Sequence, residues 1–248
     1  MVINVEKNVY SPQITQILHN MKKLNFIIAV ILTSIICTSC DWLEPEEDPS
    51  TQIYRTAATL IHDPETGKEI FLTDDGVQLI PTTALSIPDT LENTLLNQRY
   101  YISFQIEIET PSTKLYNITL ISMQMMSKES IISISNNDTI NEYKNEQLKI
   151  NLLWCSGNYL NVITQIKGSG SVAHNYHLLH NPNITSDTLY LTMRYDDNDD
   201  QQIYDLQQAM YYDLSEYLTS SSDSTTICFH YNSGSPKLDT LYLKIANK

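Results

Sequence analysis

Glycine is scarce in this chain, with 6 residues in 248. No Gly-x-Ser-x-Gly elbow presents a hydrolase serine, and Gly168-Ser169-Gly170-Ser171 has the wrong register for one. Basic residues are also few: 15 Lys and Arg face 29 Asp and Glu, a formal net charge of −14. A field of that sign repels phosphate backbones and anionic headgroups, and no basic stripe with interleaved aromatics is present. Nucleic acid is therefore not an expected partner. Solenoid-period repeats and coiled-coil heptads are missing as well.

The best leader-like apolar stretch lies in residues 21–40, MKKLNFIIAVILTSIICTSC. Lys22 and Lys23 form a positive n-region, the apolar run from Phe26 to Cys37 an h-region, and small residues follow. The run is too short to span a bilayer. Thr38-Ser39-Cys40 resembles a lipobox, in which the cysteine receives a diacylglycerol and becomes the first residue of the mature chain. Met21 is then the expected start, residues 1–20 a mis-assigned start, and 21–39 the signal peptide. Residues 40–51 are an acidic tether extended by self-repulsion. The expected location is the outer membrane through the lipid on Cys40, on its periplasmic side or at the cell surface.

Four cysteines thus reduce to Cys155 and Cys228, both in strand-like settings. They could form a disulfide between two strands or pack as free, buried thiols.

Threonine, isoleucine and tyrosine are plentiful, which suits pleated strands. Strands are expected at 55–61, 69–73, 77–81, 97–109, 115–123 and 131–134. An Asp-Gly hairpin signal stands at Asp75-Gly76. Residues 97–109 alternate most clearly: Ile102, Phe104, Ile106 and Ile108 point one way, and Tyr101, Ser103, Gln105, Glu107 and Glu109 the other. A small closed barrel over 52–136 is the natural solution, because closure removes exposed edges. After a polar, punctuated stretch, strands resume at 148–155, 159–166, 173–179, 188–195, 225–231 and 241–245. Their spacing points to a β-sandwich over 137–248. Between them, 201–218 is ambiguous: Ile203, Leu206, Met210, Leu214 and Leu218 fall at helical spacing, yet a strand is expected near 210–213.

Several stretches resemble the NigD-like lipoproteins: the lipobox, FLTDDGVQLIP, NQRYYISFQIE, LYNITLISMQMMSKESI and GNYLNVITQIKGSG followed by HNYHLL. The resemblance implies an all-β chain with an N-terminal OB-type barrel and a C-terminal β-sandwich. The family's name points to bacteriocin-associated or immunity proteins, and it implies no enzymatic activity. Asp196–Asp200 followed by 201–208 is longer and more polar than the family pattern.

Candidate chemistry is sparse, and nothing calls for a cofactor. Asp196, Asp197, Asp199 and Asp200 form the densest oxygen cluster and could serve calcium, although they lack EF-hand spacing and read equally as a solvated turn. His174, His177 and His180 would gather on a helix but separate on the expected strand. Glu107 and Glu109 share a strand face without being singled out as a catalytic pair. Asp followed by Ser or Thr recurs, making Thr90, Thr139, Thr188, Ser224 and Thr240 candidate O-glycosylation acceptors. Asp in a turn and Thr opening a strand is also ordinary β grammar. The expected function is a non-enzymatic envelope module that binds a protein or glycan. The alternatives are an immunity-type lipoprotein and an envelope hydrolase, which would need a polar pocket with shifted carboxyls.

Overall fold

The computed structural model describes residues 52–85, 94–107, 114–184, 187–218 and 223–246. The leader, Cys40, the tether, Thr90 and Glu109 lie outside the described residues. Five strands come first: β1 (Tyr54–Asp63), β2 (Lys68–Thr73), β3 (Gln78–Pro81), β4 (Arg99–Ile106) and β5 (Leu115–Met125). They close into a barrel in the order β1-β2-β3-β5-β4, with β1 antiparallel to β4 and β3 parallel to β5. This is the order of an OB fold. The alternation in β4 places Ile102 and Phe104 inside, against Leu60, Phe71 and Ile118. Tyr100 joins them, its hydroxyl donating to the Leu95 carbonyl at 3.0 Å.

Nine strands follow: β6 (Ser127–Glu129), β7 (Ile131–Ser133), β8 (Lys149–Ser156), β9 (Tyr159–Gly168), β10 (Asn175–His180), β11 (Thr188–Asp196), β12 (Tyr204–Asp213), β13 (Ser224–Tyr231) and β14 (Asp239–Ala246). They form two sheets, β14-β13-β11-β10-β7 and β6-β12-β9-β8. Leu160, Val162, Leu191, Met193, Met210, Tyr212, Ile227 and Phe229 fill the space between them. This sandwich recruits the 131–134 strand expected in the barrel, because β7 pairs with β10. The boundary expected at residue 136 therefore falls inside the sandwich sheets.

The ambiguous 201–218 segment contains a ten-residue strand, β12, paired with β9 along its whole length. From Ala209 onward both of its faces are covered: Met210 and Tyr212 enter the inter-sheet core, while Ala209 and Tyr211 face a second apolar cluster. With both faces buried, polar alternation disappears and the strand loses its period-two signature.

That second cluster joins the barrel to the sandwich. Ala57 of β1 and Met126 meet Ile163 and Ala209, flanked by Tyr101, Trp154 and Tyr211. Tyr101, expected on a wet face, lies 5.8 Å from the Trp154 ring instead. Beside it Arg99 is 3% exposed. Its Nη1 donates to Asp74 Oδ1 at 2.7 Å, its Nη2 to Asp74 Oδ2 at 2.5 Å, and its Nε to Asn161 Oδ1 at 3.1 Å. Ser156 Oγ donates to Asp74 Oδ2 at 2.5 Å, and the guanidinium sits 4.4 Å over the Tyr159 ring. Every charge in this cluster has a partner, the condition under which a buried pair is tolerated. Gly157 is required opposite it: φ is +55°, and a Cβ there would lie 2.9 Å from Asp74 Cβ.

Candidate functional site

Barrel and sandwich meet near the β8–β9 turn, and the candidate site lies at the other end of the β8–β9–β12 sheet. There β8 and β12 begin, β9 and β11 end, and the loops 169–174 and 197–203 approach each other. They border a polar cleft of about 660 Å³ lined by Glu146, Gln147, Lys149, Gln165, Lys167, Tyr195, Asp197, Gln202 and Asp205. A smaller cavity of about 440 Å³, with His174, Tyr176 and Glu129 in its wall, opens beside it, and Ile166 lines both. Lys149 Nζ donates to Gln165 Oε1 at 2.7 Å, which orders the cleft wall.

The acidic loop is divided rather than gathered. Asp196 Oδ1 pairs with Lys144 Nζ at 2.9 Å, and this contact holds its carboxyl below the usual range. Asp197 donates its backbone N–H to Glu146 Oε2 at 2.6 Å, and Asp199 donates its own to Asp197 Oδ1 at 2.9 Å. Asn198 and Asp199 adopt positive φ of 53° and 57°, a turn that their short polar side chains tolerate. Asp200 turns inward. Its Oδ2 accepts from the Ser169 amide at 2.7 Å, and its Oδ1 accepts from Ser169 Oγ at 2.6 Å. The Ser169 and His174 side chains hold its carboxyl down to about 2.

The calcium set expected from the sequence, Asp196, Asp197, Asp199 and Asp200, is therefore not one site. The turn sends Asp196 to lysine and Asp200 into the interior. Among the described residues the acidic groups that do converge are Glu146, Asp197 and Asp199, whose oxygens lie within 4.8 Å of one another. Glu146 is far from the aspartates in sequence and carried no signal. Burial raises its carboxyl; the Asp197 backbone N–H pulls it back, and the Asp197 carboxylate adds to the rise.

The three histidines go to three partners, as the strand reading expects. His174 just precedes β10; its Nδ1 lies 2.5 Å from Tyr195 Oη and its Nε2 3.0 Å from Asp200 Oδ2. His177 packs at a tilt against Tyr143 and His180 edge to face with Tyr217, at 5.0 and 5.2 Å between ring centres. The Asp200–His174–Tyr195 chain pins both loops, and the Ser169 bonds to Asp200 anchor the Gly168–Ser171 connector. A Cβ on Gly168 would lie 2.8 Å from Asp200 Oδ2 and 3.1 Å from the His174 ring. Burial raises the Tyr195 phenol, which stays protonated at the cleft wall.

The remaining sequence candidates separate as follows. Cys155 and Cys228 are free thiols. Cys155 packs against the inter-sheet core from β8, whereas alternation in β13 turns Ile227 and Phe229 inward and Cys228 to the opposite face. No bridge joins thiols on different faces. Glu107 accepts from Thr119 Oγ1 at 3.1 Å on the barrel surface. Thr139 is tied to Asn136 Oδ1 through both its amide and its hydroxyl, Thr188 and Ser224 open β11 and β13, and Thr240 is exposed in β14.

Comparison with known proteins bears on the fold. Residues 130–245 match the NigD-like C-terminal beta sandwich domain. No curated protein matches the sequence. A crystal structure of a protein of unknown function from Bacteroides vulgatus aligns with a TM-score of 0.62 at 19% identity, covering 79% of this chain and 92% of that one. A putative toxin related protein from Parabacteroides distasonis gives 0.56 at 20% identity, over 79% and 94%. A NigD-like immunity protein from Bacteroides caccae gives 0.54 at 16% identity, over 81% and 99%. At such identities the likeness is one of fold. Residues 130–245 thus carry a NigD-like C-terminal beta sandwich domain, and the barrel-plus-sandwich fold of the chain is similar to that of the NigD-like structure.

Proposed function

We propose that this chain is a lipid-anchored envelope protein, held to the outer membrane through Cys40, that binds a glycan without turning it over. The observation that carries the reading is the polar cleft. Three carboxamides (Gln147, Gln165, Gln202), charges of both signs and the Tyr195 ring line it. Carboxamides and carboxylates can exchange hydrogen bonds with many hydroxyls.

The test is retention of the purified protein by polysaccharide from its own envelope in affinity electrophoresis. Retention that weakens at least about tenfold in Gln165→Ala/Gln202→Ala is the expected result, about 1.4 kcal/mol. No retention, together with in-cell crosslinks from cleft positions to a protein, would replace this reading with the immunity-type one. The name of the Bacteroides caccae structure favours that second reading.

An envelope hydrolase also predicts a polar pocket with a raised carboxyl, and Glu146 is one. Its Oε2, however, accepts from the Asp197 amide and so helps to hold the 197–199 turn. Hydrolysis of envelope polymers by the native chain, lost in Glu146→Gln, would establish the hydrolase and overturn the binding reading.

A further inference from the structure

The outward face of the five-stranded sheet carries a group of side chains that the cleft does not use. Cys228 lies on β13 directly between Tyr190 of β11 and Tyr242 of β14 in the ladder. Two residues along the same strand, His230 presents Nε2 at 3.4 Å from Cys228 Sγ. On the next strand Thr240, the ladder partner of His230, places Oγ1 at 2.9 Å from His230 Nδ1. With Nδ1 donating to the threonine oxygen, Nε2 is left as an acceptor facing the thiol. A nucleophile, a base within reach and a third group orienting that base are the parts of an activated thiol.

We propose that Cys228, His230 and Thr240 form a reactive-thiol site that takes up the sulfur of an accessible disulfide. Cys228 Sγ attacks one sulfur of the disulfide while its proton passes to His230 Nε2. The S–S bond breaks with its electron pair leaving on the far sulfur, which takes that proton back. One thiol and one disulfide become one mixed disulfide and one thiol, so no further oxidant is needed. The event is a stoichiometric modification, independent of the cleft and of whatever the cleft binds.

The setting supports access. Cys228 is itself 2% exposed, but Tyr242, which hydrogen-bonds its thiol, is 72% exposed and Tyr190 38%. Tyr242 stands on β14, the last strand of its sheet, where local opening is easiest. A rotation of this one phenol uncovers the thiol between two aromatic rings. Cys155 provides a built-in contrast. It has no base beside it among the described residues, and burial pushes its thiol up to about 12.

The experiment incubates the folded full chain with oxidised glutathione near pH 7 and follows each cysteine by peptide mass spectrometry. Cys228 is expected to gain the glutathionyl group at least about tenfold faster than Cys155, and about a hundredfold faster than in His230→Gln, the low end for a positioned base. Tyr242→Ala is expected to accelerate the reaction, and Thr240→Val to slow it by a smaller factor. The comparison with Cys155 needs no variant and holds if His230→Gln fails to fold. Equal rates at Cys228 and Cys155, or a Cys228 rate unchanged in folded His230→Gln, would overturn the proposal. So would a Cys228 that stays unmodified even in Tyr242→Ala.

Discussion

The barrel closes on itself and fills its interior with Leu60, Phe71, Tyr100, Ile102 and Ile118, whereas the sandwich leaves one end open and polar. Closure pairs every strand of the barrel with two neighbours, and its small bore is taken up by side chains. Two stacked sheets instead converge in loops at their ends, and the polar chains that those loops need for their own backbone also line the cleft. Each region buries charge differently. At the junction Arg99 and Asp74 are locked as a pair with further donors and acceptors around them. At the open end Glu146 and Asp197 bring like charges together and Asp200 is held by neutral donors and an imidazole. The first arrangement fixes geometry, and the second leaves Glu146 and Asp197 in the cleft wall while Asp200 is held inside.

The largest effect is expected from breaking the junction. Arg99→Met leaves the Asp74 carboxylate buried without its cation and should cost about 3–5 kcal/mol in chemical denaturation. Adding Asp74→Asn removes that stranded charge and should recover part of the loss. Two separate unfolding transitions in Arg99→Met, against one in the native chain, would show that this cluster couples barrel to sandwich.

The next effect probes the open end. Gly168→Ala places a methyl 2.8 Å from Asp200 Oδ2 and should cost about 1–3 kcal/mol, read as a lower Tm. A cost near zero would mean that the His174–Asp200 staple yields freely.

Acid sharpens the same comparison. The Asp200 carboxyl is held down to about 2 from an ordinary 3.8, so its stabilisation is complete above pH 4 and lost as pH falls toward 2. Asp200→Asn should therefore flatten the stability profile between pH 4 and 2, as measured by denaturation at each pH. The smallest effect is at Glu146. Its carboxyl is raised, so its ionisation opposes folding as pH rises through that raised value. Glu146→Gln should leave stability at pH 7 unchanged or higher by about 0.5 kcal/mol, since the group is partly solvated and an amide oxygen can still accept from Asp197.

Much of the fold was legible in the chain, because period-two alternation is written directly into strands such as β4 and β11, each with one core face. It was illegible in β12, whose two faces are both covered from Ala209 onward, so Leu206, Met210 and Leu214 mimic a helix stripe. The 131–134 strand was visible as a strand but not as part of the sandwich, because pairing with β10 is not a local property. At the site, the aspartate run was conspicuous and its partition was not. Which carboxylate meets Lys144, Glu146 or His174 depends on positive φ at Asn198 and Asp199 and on loops brought together across the sheet. Glu146 itself could not have been found from spacing.

The sequence by itself determined an all-β chain, the alternating faces of its clearest strands, the Asp-Gly hairpin and the expectation of a lipidated Cys40. These depend on near neighbours along the chain, where side-chain alternation and turn chemistry act. Tertiary structure alone decided the closure of the barrel in OB order, the burial of Arg99 against Asp74 and Asn161, and the division of the acidic loop. It also set Cys155 against the inter-sheet core and placed Cys228 between Tyr190 and Tyr242 on the opposite face. Contacts of that kind join residues far apart in sequence, and only the register of paired strands fixes which of them meet.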